Sequence, residues 1–546
     1  MTAEYDEKRS PPVGSYDNHP EEIETPDISD KSEPRNSSDE ALADGMQLRR
    51  TISSRNPPNP LCSKCKQGLT NEESQPCAVH DGYITDPNVV LWDSDDDPGR
   101  PQNWPLGKKI AMTVTASLFV AGVSFSSSIF GPATHVTAKQ FGVGIEVMDL
   151  AISLHILGFA CGPLLFGPMS EVFGRLIPFY TGLIGMAIFQ IPEAVAGNVR
   201  TILVCRFFEG VFGSAIFAVV SGIFVDIWSP IARGNALALS ATGINLGSTF
   251  APIFSGFVVQ QIGWRWTAWL TLIYCGTVGV LGILTMHETF EPVLLARKAK
   301  HLRFETKNFA LHAKSEEQPV DIKTLAQKYL TKPIRIIINE PILIILTAYL
   351  TLVYGILYLS YQAIPFSFQN RGWSPAVSQL PFISVLLGIL AAWGVFCFFN
   401  NTSYKKTWLK TRSAPPEARL PPMILGSVIL PPALWWFGWS QHTHWASQVI
   451  ALFFVGLGLL LIFDTGIVYL VDVYAANSNS AMSIHVVCRS IISCSFPLFS
   501  GPMYTNLGTD WASTVLAFAC LAMVAAPLIF YFYGAKIRSW SRFSMS

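Results

Sequence analysis

Twelve stretches of this chain stay apolar long enough to cross a bilayer, and that fact constrains the fold more than any other. They lie near 110–131, 147–168, 176–196, 201–223, 236–260 and 266–286, then 341–362, 379–399, 421–440, 446–470, 481–503 and 513–533. A membrane-crossing helix needs about 20 such residues. Inside hydrocarbon no water pairs with the backbone, so each run must satisfy its own N–H and C=O groups as a helix. The basic, polar interval 287–340 divides the runs six plus six. Composition excludes the soluble alternative. Only 14% of residues are charged and 50% are hydrophobic, against about 25% charged in ordinary soluble domains. Lys+Arg and Asp+Glu balance at 38 each with no basic stripe, which argues against a nucleic-acid partner. The expected fold is an all-α membrane protein of twelve transmembrane helices in two six-helix bundles.

Residues 1–105 read differently. They are rich in Ser, Pro, Asp, Glu and Asn and cannot bury enough surface to offset the entropy of ordering, so a disordered tail is expected. Arg49-Arg50-Thr51-Ile52-Ser53 has the form of a basophilic kinase substrate. Cys62, Cys65, Cys77 and His80 reach the ligand count for zinc, but nothing around them suggests a folded module, so no metal is expected.

Loop charges set the orientation. With the tail in the cytosol, the inner loops carry seventeen Lys and Arg and the outer loops only four: Lys139, Arg200, Arg265 and Arg371. Lys536, Arg538 and Arg542 then place the C-terminus inside as well. The sequons at Asn36, Asn400 and Asn401 all fall on the cytosolic side. The expected divisions are a tail 1–105, a bundle 106–286, a cytosolic linker 287–340, a bundle 341–535 and a C-terminal tail 536–546. The expected location is the plasma membrane.

Six plus six helices about a long inner linker suggest a transporter built from two halves. The first inner loop reads Gly167-Pro-Met-Ser170-Glu171-Val-Phe-Gly174-Arg175. Gly and Pro end the second span, and Gly174 permits a tight turn. Glu171 and Arg175 can pair or cap neighbouring helix ends, with Asp226 and Arg233 flanking the next inner loop. This resembles the loop signature of the major facilitator superfamily, and the resemblance implies an inner gate. Val172 and Leu176 replace residues that are often basic there. The matching loop of the second half shows only Lys405-Lys406 and neighbours.

The fourth span reads Arg206-Phe-Phe-Glu209-Gly210-Val-Phe-Gly213 and resembles that family's helix 4 signature, in which a buried Arg is tied to proton coupling. An Arg in mid-bilayer costs about 2.5–3.5 kcal/mol on insertion scales and needs a partner. Glu209, three residues on, shares its face. Two readings stand: the pair neutralises itself, or Glu209 exchanges a proton or meets a cationic substrate. In the fifth span Gly243, Gly247, Ala251 and Ser255 recur every four residues and form a small-residue seam, with Pro252 and Gly256 adding a bend. This resembles the helix 5 signature of the superfamily's antiporters. Trp264-Arg-Trp266, the run His287–Arg303, Pro416–Pro422, Tyr469–Tyr474, Arg489-Ser490 and Phe496–Phe499 are similar to fungal twelve-span drug:proton antiporters, nearest their cycloheximide-resistance and polyamine-exporter branch.

Two further groups are proton-coupling candidates beside Arg206 and Glu209. His155 lies mid-way along the second span, where an imidazole suits proton exchange. Asp464 lies in the tenth span at about the depth of Arg489 in the eleventh, so these two are expected to form an ion pair. No Gly-x-x-x-x-Gly-Lys-Ser/Thr occurs, which argues against ATP-driven export. The histidines are scattered, which argues against a metal-dependent membrane enzyme. The expectation is a monomeric, cofactor-free efflux transporter that exports a drug, fungicide or self-made metabolite by proton antiport. An uptake permease and a polyamine exporter of the same fold are the alternatives.

Overall fold

The computed structural model describes residues 86–317 (Pro87 excepted), 331–411, 415–474 and 478–539, together with 79–80, 83–84 and 541. The kinase-like motif and the three tail cysteines lie outside the described residues. The first six long helices are α1 (Leu106–Ile129), α2 (Ile145–Val172), α3 (Leu176–Ala194), α4 (Val199–Ile227), α5 (Pro230–Gln261) and α6 (Arg265–Thr285). The second half begins with α7 (Pro341–Gln369), α8 (Phe382–Phe399), α9 (Pro421–Trp439) and α10 (Trp445–Val473). It closes with α11 (Ser478–Ser493), α12 (Phe496–Met523) and α13 (Ala525–Arg538).

These last three helices make two crossings, not one. By length and composition they merge into a single apolar stretch, Ser480–Arg538, so eleven spanning stretches stand among the described residues where twelve runs were expected. That stretch is 59 residues long, and at about 1.5 Å per residue it is far longer than one crossing needs. Gly508 breaks it with φ 76° and ψ 168°, a left-handed geometry that glycine adopts without Cβ strain. The chain reverses there. Thr514 then receives the Trp439 indole N–H at 3.0 Å, and Arg538 meets Glu417 at the opposite end of α9 at 2.8 Å. The expected twelve crossings are therefore present, joined at the last hairpin by almost no loop.

Within the first half α2 packs on α4, α1 on α5 and α6, and α3 on α4 and α6. Within the second, α8 and α9 pack on α10 and α9 on α12. The halves meet along α2 with α11 and along α5 with α8 and α10. Close approach depends on glycine. A Cβ at Gly247 would stand 2.1 Å from the Ala121 carbonyl oxygen, and one at Gly243 3.0 Å from that of Ser117. A Cβ at Gly210 would stand 2.1 Å from the His155 carbonyl oxygen. Outward faces carry exposed apolar side chains such as Ile283 and Leu284, each 72% exposed, as lipid contact requires. Trp435, Trp436, Trp439 and Trp445 are exposed at the end away from the linker, the level at which aromatic residues meet the interface.

The stretch before α1 is built against the linker. From Asp86 the chain is packed, not loose. Val90 N–H donates to His312 O at 2.8 Å, and His312 N–H donates to Asn88 O at 2.9 Å. Lys298 lies 3.0 Å from Asp93 and 3.2 Å from Asp97. Val90, Ala299, Leu302 and Leu311 form a small core beneath the linker helix Glu291–Thr306. Burial pushes the Asp97 carboxyl up, but the backbone N–H groups of Asp93 and Gly99 and the Lys298 ammonium outweigh it and hold it below its ordinary value.

Packing at the α1–α5 crossing is expected to be unforgiving. Gly247→Ala should lower the stability of the detergent-purified protein by about 1–3 kcal/mol through overpacking, and Gly243→Ala by less. Thermal unfolding of the two variants side by side measures the difference.

Candidate functional site

Three clusters bring the sequence candidates together, and each draws in residues that the sequence reading passed over. The first lies among α1, α2, α3 and α4. Arg206 is fully buried. Its Nε donates to Glu193 Oε1 at 2.7 Å and its Nη1 to the Ser126 carbonyl at 2.7 Å, while its guanidinium lies 4.7 Å from the Phe130 ring centre. Glu209 is 3.8 Å away, too long for a hydrogen bond. The nearer counter-ion of Arg206 is thus Glu193, with the expected partner Glu209 beside it at ion-pair distance. The reason is reach: one turn along the same helix holds Glu209 to the side, whereas Glu193 approaches from α3 in line with the fork. His155 Nδ1 lies 3.7 Å from Glu209 Oε2. Neither ring nitrogen of His155 and neither carboxylate oxygen of Glu209 has a hydrogen bond. Two carboxylates face one guanidinium in a fully buried site, so one negative charge is left for a proton or an imidazolium to balance. Glu193 was visible in the sequence as an acid inside the run 176–196, and intramembrane acids merit notice by default.

The second cluster closes the end that carries the linker. Ser170 Oγ donates to Gly167 O at 2.8 Å, and Gly174 turns with φ 87°. Arg175 Nε donates to Asp226 Oδ2 at 3.0 Å and Nη1 to Ser170 Oγ at 3.2 Å; Glu171 sits half-buried at the end of α2. Glu288 is the addition. Its carboxylate accepts the Arg175 and Leu176 N–H groups at 2.9 and 3.2 Å, and so caps the positive end of α3. Across the halves, Arg233 lies 3.5 Å from Asp472, and Arg419 Nε donates to the same carboxylate at 2.7 Å. Asn400 Nδ2 donates to Asn235 Oδ1 at 2.5 Å, from a π-helical turn, Asn400–Tyr404, that continues α8. The second half's loop lacks the first half's signature, yet Arg419, Asp472 and Asn400 hold the corresponding position.

The third cluster sits at the interface of the halves. Asp464 Oδ2 accepts from Thr242 Oγ1 of α5 at 2.9 Å. Arg489 instead lies 4.2 Å from the Tyr354 ring centre and 5.2 Å from that of Phe463. The expected Asp464–Arg489 ion pair is not formed: the acid faces the first half and the cation faces α7. Tyr358 OH lies 2.9 Å from Ser127 Oγ of α1 and 3.3 Å from Tyr354 OH. The small-residue seam divides between two neighbours. Gly243 and Gly247 face α1, Ala251 and Ser255 are fully buried, and beyond Pro252 a Cβ at Gly256 would stand 2.8 Å from Gln379 of the second half.

Comparison with known proteins adds four findings. A family model described as Major Facilitator Superfamily matches residues 116–494. The "Ascochitine biosynthesis cluster MFS transporter" of Didymella fabae is 44% identical over 88% of this chain and 94% of its own length. The "Citrinin biosynthesis cluster MFS transporter mrr1" of Monascus ruber is 44% identical over 87% of this chain and 96% of its own. The fold is similar to that of the proton:xylose symporter XylE, with a TM-score of 0.58 and 14% identity over 79% of this chain and 96% of that one.

The geometry separates the two acids near Arg206. Glu193→Ala should cost about 3–5 kcal/mol, as breaking a buried pair does, and Glu209→Ala distinctly less; thermal unfolding of the purified variants ranks them. At the linker end Asp472→Asn removes the charge shared by two arginines. Hydrogen exchange over residues 229–236 should then speed up by about ten- to a hundredfold, the loss of about 1.5–3 kcal/mol of charged hydrogen bonding.

Proposed function

The chain belongs to the Major Facilitator Superfamily, and we propose that it is a secondary active efflux transporter that expels a small organic metabolite in exchange for protons. Residues 106–286 and 341–535 serve as its two halves, and the linker end faces the cytosol together with both termini. The plasma membrane is the site of action, one chain is the working unit, and no ATP is consumed. Within the superfamily we place the chain among the fungal twelve-span drug:proton antiporters. Two relatives named for biosynthesis clusters, each aligned over nearly nine-tenths of this chain, support a self-made metabolite as cargo over a polyamine.

The observation that carries the exchange reading is the buried cluster of Arg206, Glu193, Glu209 and His155. Glu193 neutralises Arg206 directly. Glu209 stands close enough to feel that cation and too far to be bonded by it, so its charge is free to change during a cycle. His155 lies beside it as a relay. The contacts at the linker end supply the gate: Arg175 with Asp226, and Arg233 with Arg419 on Asp472, release as the halves rock apart. Asp464 with Thr242 is the next candidate for the proton, and the Gly243–Gly256 seam serves as the pivot between α1 and the second half.

Inside-out vesicles from expressing cells test the reading. An imposed proton gradient, acidic inside, should drive uptake of a fluorescent amphiphile, and a protonophore should abolish it. Glu209→Gln, which keeps shape but cannot ionise, should lose gradient-driven uptake while retaining passive exchange down the amphiphile's own gradient. Uptake indifferent to the protonophore would refute proton exchange. Accumulation by intact cells above that of non-expressing cells would instead make the protein an importer.

A further inference from the structure

The second half contains a cation without a counter-ion among the described residues. Arg489 on α11 is 3% exposed. Among the described residues it forms no ion pair and no hydrogen bond, and its Nε is sealed without an acceptor. The acid that might have neutralised it, Asp464, is engaged by Thr242. Cation–π contact with Tyr354 and Phe463 recovers part of what burial costs. It supplies no acceptor for the five guanidinium N–H groups. Arg206 shows the contrast in the same chain: equally buried, it has Glu193 and a backbone carbonyl.

The groups around Arg489 lack partners in the same way. The hydroxyl of Ser490, next in sequence, is buried without one, as is Nε2 of His485, one turn before Arg489 on α11. These are hydrogen-bonding groups waiting on an oxygen-rich ligand. Beside them stand flat aromatic faces: Tyr354 stacks on Phe463 with centroids 5.9 Å apart, and Tyr358 packs edge-on at 5.0 Å from Tyr354. Ser127 reaches Tyr358 from the first half, so the place lies where the two halves meet.

We propose that Arg489 is the anchor for the anionic group of the cargo, and that the cargo is a planar aromatic carboxylic acid. Its carboxylate takes the guanidinium fork in the paired geometry that Arg favours, and its ring system lies against Tyr354 and Tyr358. Buried charge is costly while unpaired, so an arriving carboxylate relieves a cost the empty protein carries. A neutral molecule of the same shape does not. The inference deepens the export reading above and depends on it only for the word cargo.

The test uses the full-length protein in detergent with matched probes: 2-naphthoate and its methyl ester, titrated by tryptophan fluorescence in sodium gluconate and again in sodium chloride. Wild type should bind the acid about tenfold or more tightly than the ester, the ratio expected of one charged hydrogen-bonded contact. Arg489→Gln should abolish that advantage, and Arg489→Lys should keep part of it as a point charge without the fork. Equal binding of acid and ester by wild type, no binding of either, or an acid advantage that survives Arg489→Gln would overturn the assignment. Chloride that displaces the acid at equal concentration would also overturn it, by reducing the site to a simple counter-ion position. Wild-type vesicles that bind the acid preferentially yet move neither probe under a proton gradient would refute export and leave the anion site standing.

Discussion

A charge held in hydrocarbon must find an opposite charge, a proton or a ligand, and the interior of this protein is arranged around that requirement. Arg206 lies where insertion alone costs about 2.5–3.5 kcal/mol, and α3 brings Glu193 to 2.7 Å from it. That contact ties α3 to α4, and the Ser126 carbonyl ties both to α1. Once it is made, Glu209 becomes a second carboxylate beside a cation already spent. His155 is held against it where a Cβ at Gly210 would collide with the His155 carbonyl. The proton-exchange reading follows from this surplus of acid over base.

The two halves share the design in unequal parts. In the first half the buried cation is answered and an acid is left over. In the second, Asp464 hydrogen-bonds across to Thr242 and the cation Arg489 is left over. A left-over acid suits a proton and a left-over cation suits an anion, which is why the proposals above put the proton on Glu209 of the first half, with Asp464 as the next candidate, and the anionic group of the cargo on Arg489 of the second. The linker end joins them mechanically, because Asp472 of α10 holds Arg233 of α5 and Arg419 beside α9 at once.

Sequence alone reveals the crossings, since each announces itself by about twenty apolar residues and needs no partner to be read. The turn at Gly174 is legible for a similar reason, since Gly167 to Arg175 is one short loop, and the order of crossings puts Asp226 at the same end of the bundle. The reversal at Gly508 falls in the gap left between the runs 481–503 and 513–533, which Thr505, Asn506, Thr509 and Asp510 mark as polar. Pairings made across helices are illegible by spacing. Arg206 with Glu193, Asp464 with Thr242 and Arg419 with Asp472 depend on which helices pack and at what rotation. Depth alone suggested Asp464 with Arg489, and rotation about the helix axes undid it. The packed stretch from Asp86 was hidden by its polar composition, because its small core draws on the linker residues Ala299, Leu302 and Leu311, two hundred positions away in sequence.

The central claim is that the acid left over beside Arg206 trades its proton for cargo. Protons released when cargo binds test it most directly. The purified protein in weakly buffered detergent, with a pH-indicator dye, is given a compound that the vesicle assay shows to be moved. Wild type should acidify the solution as the compound binds, and Glu209→Gln should release measurably fewer protons at equal occupancy. Equal release by the two proteins would place the exchanged proton elsewhere and contradict the account.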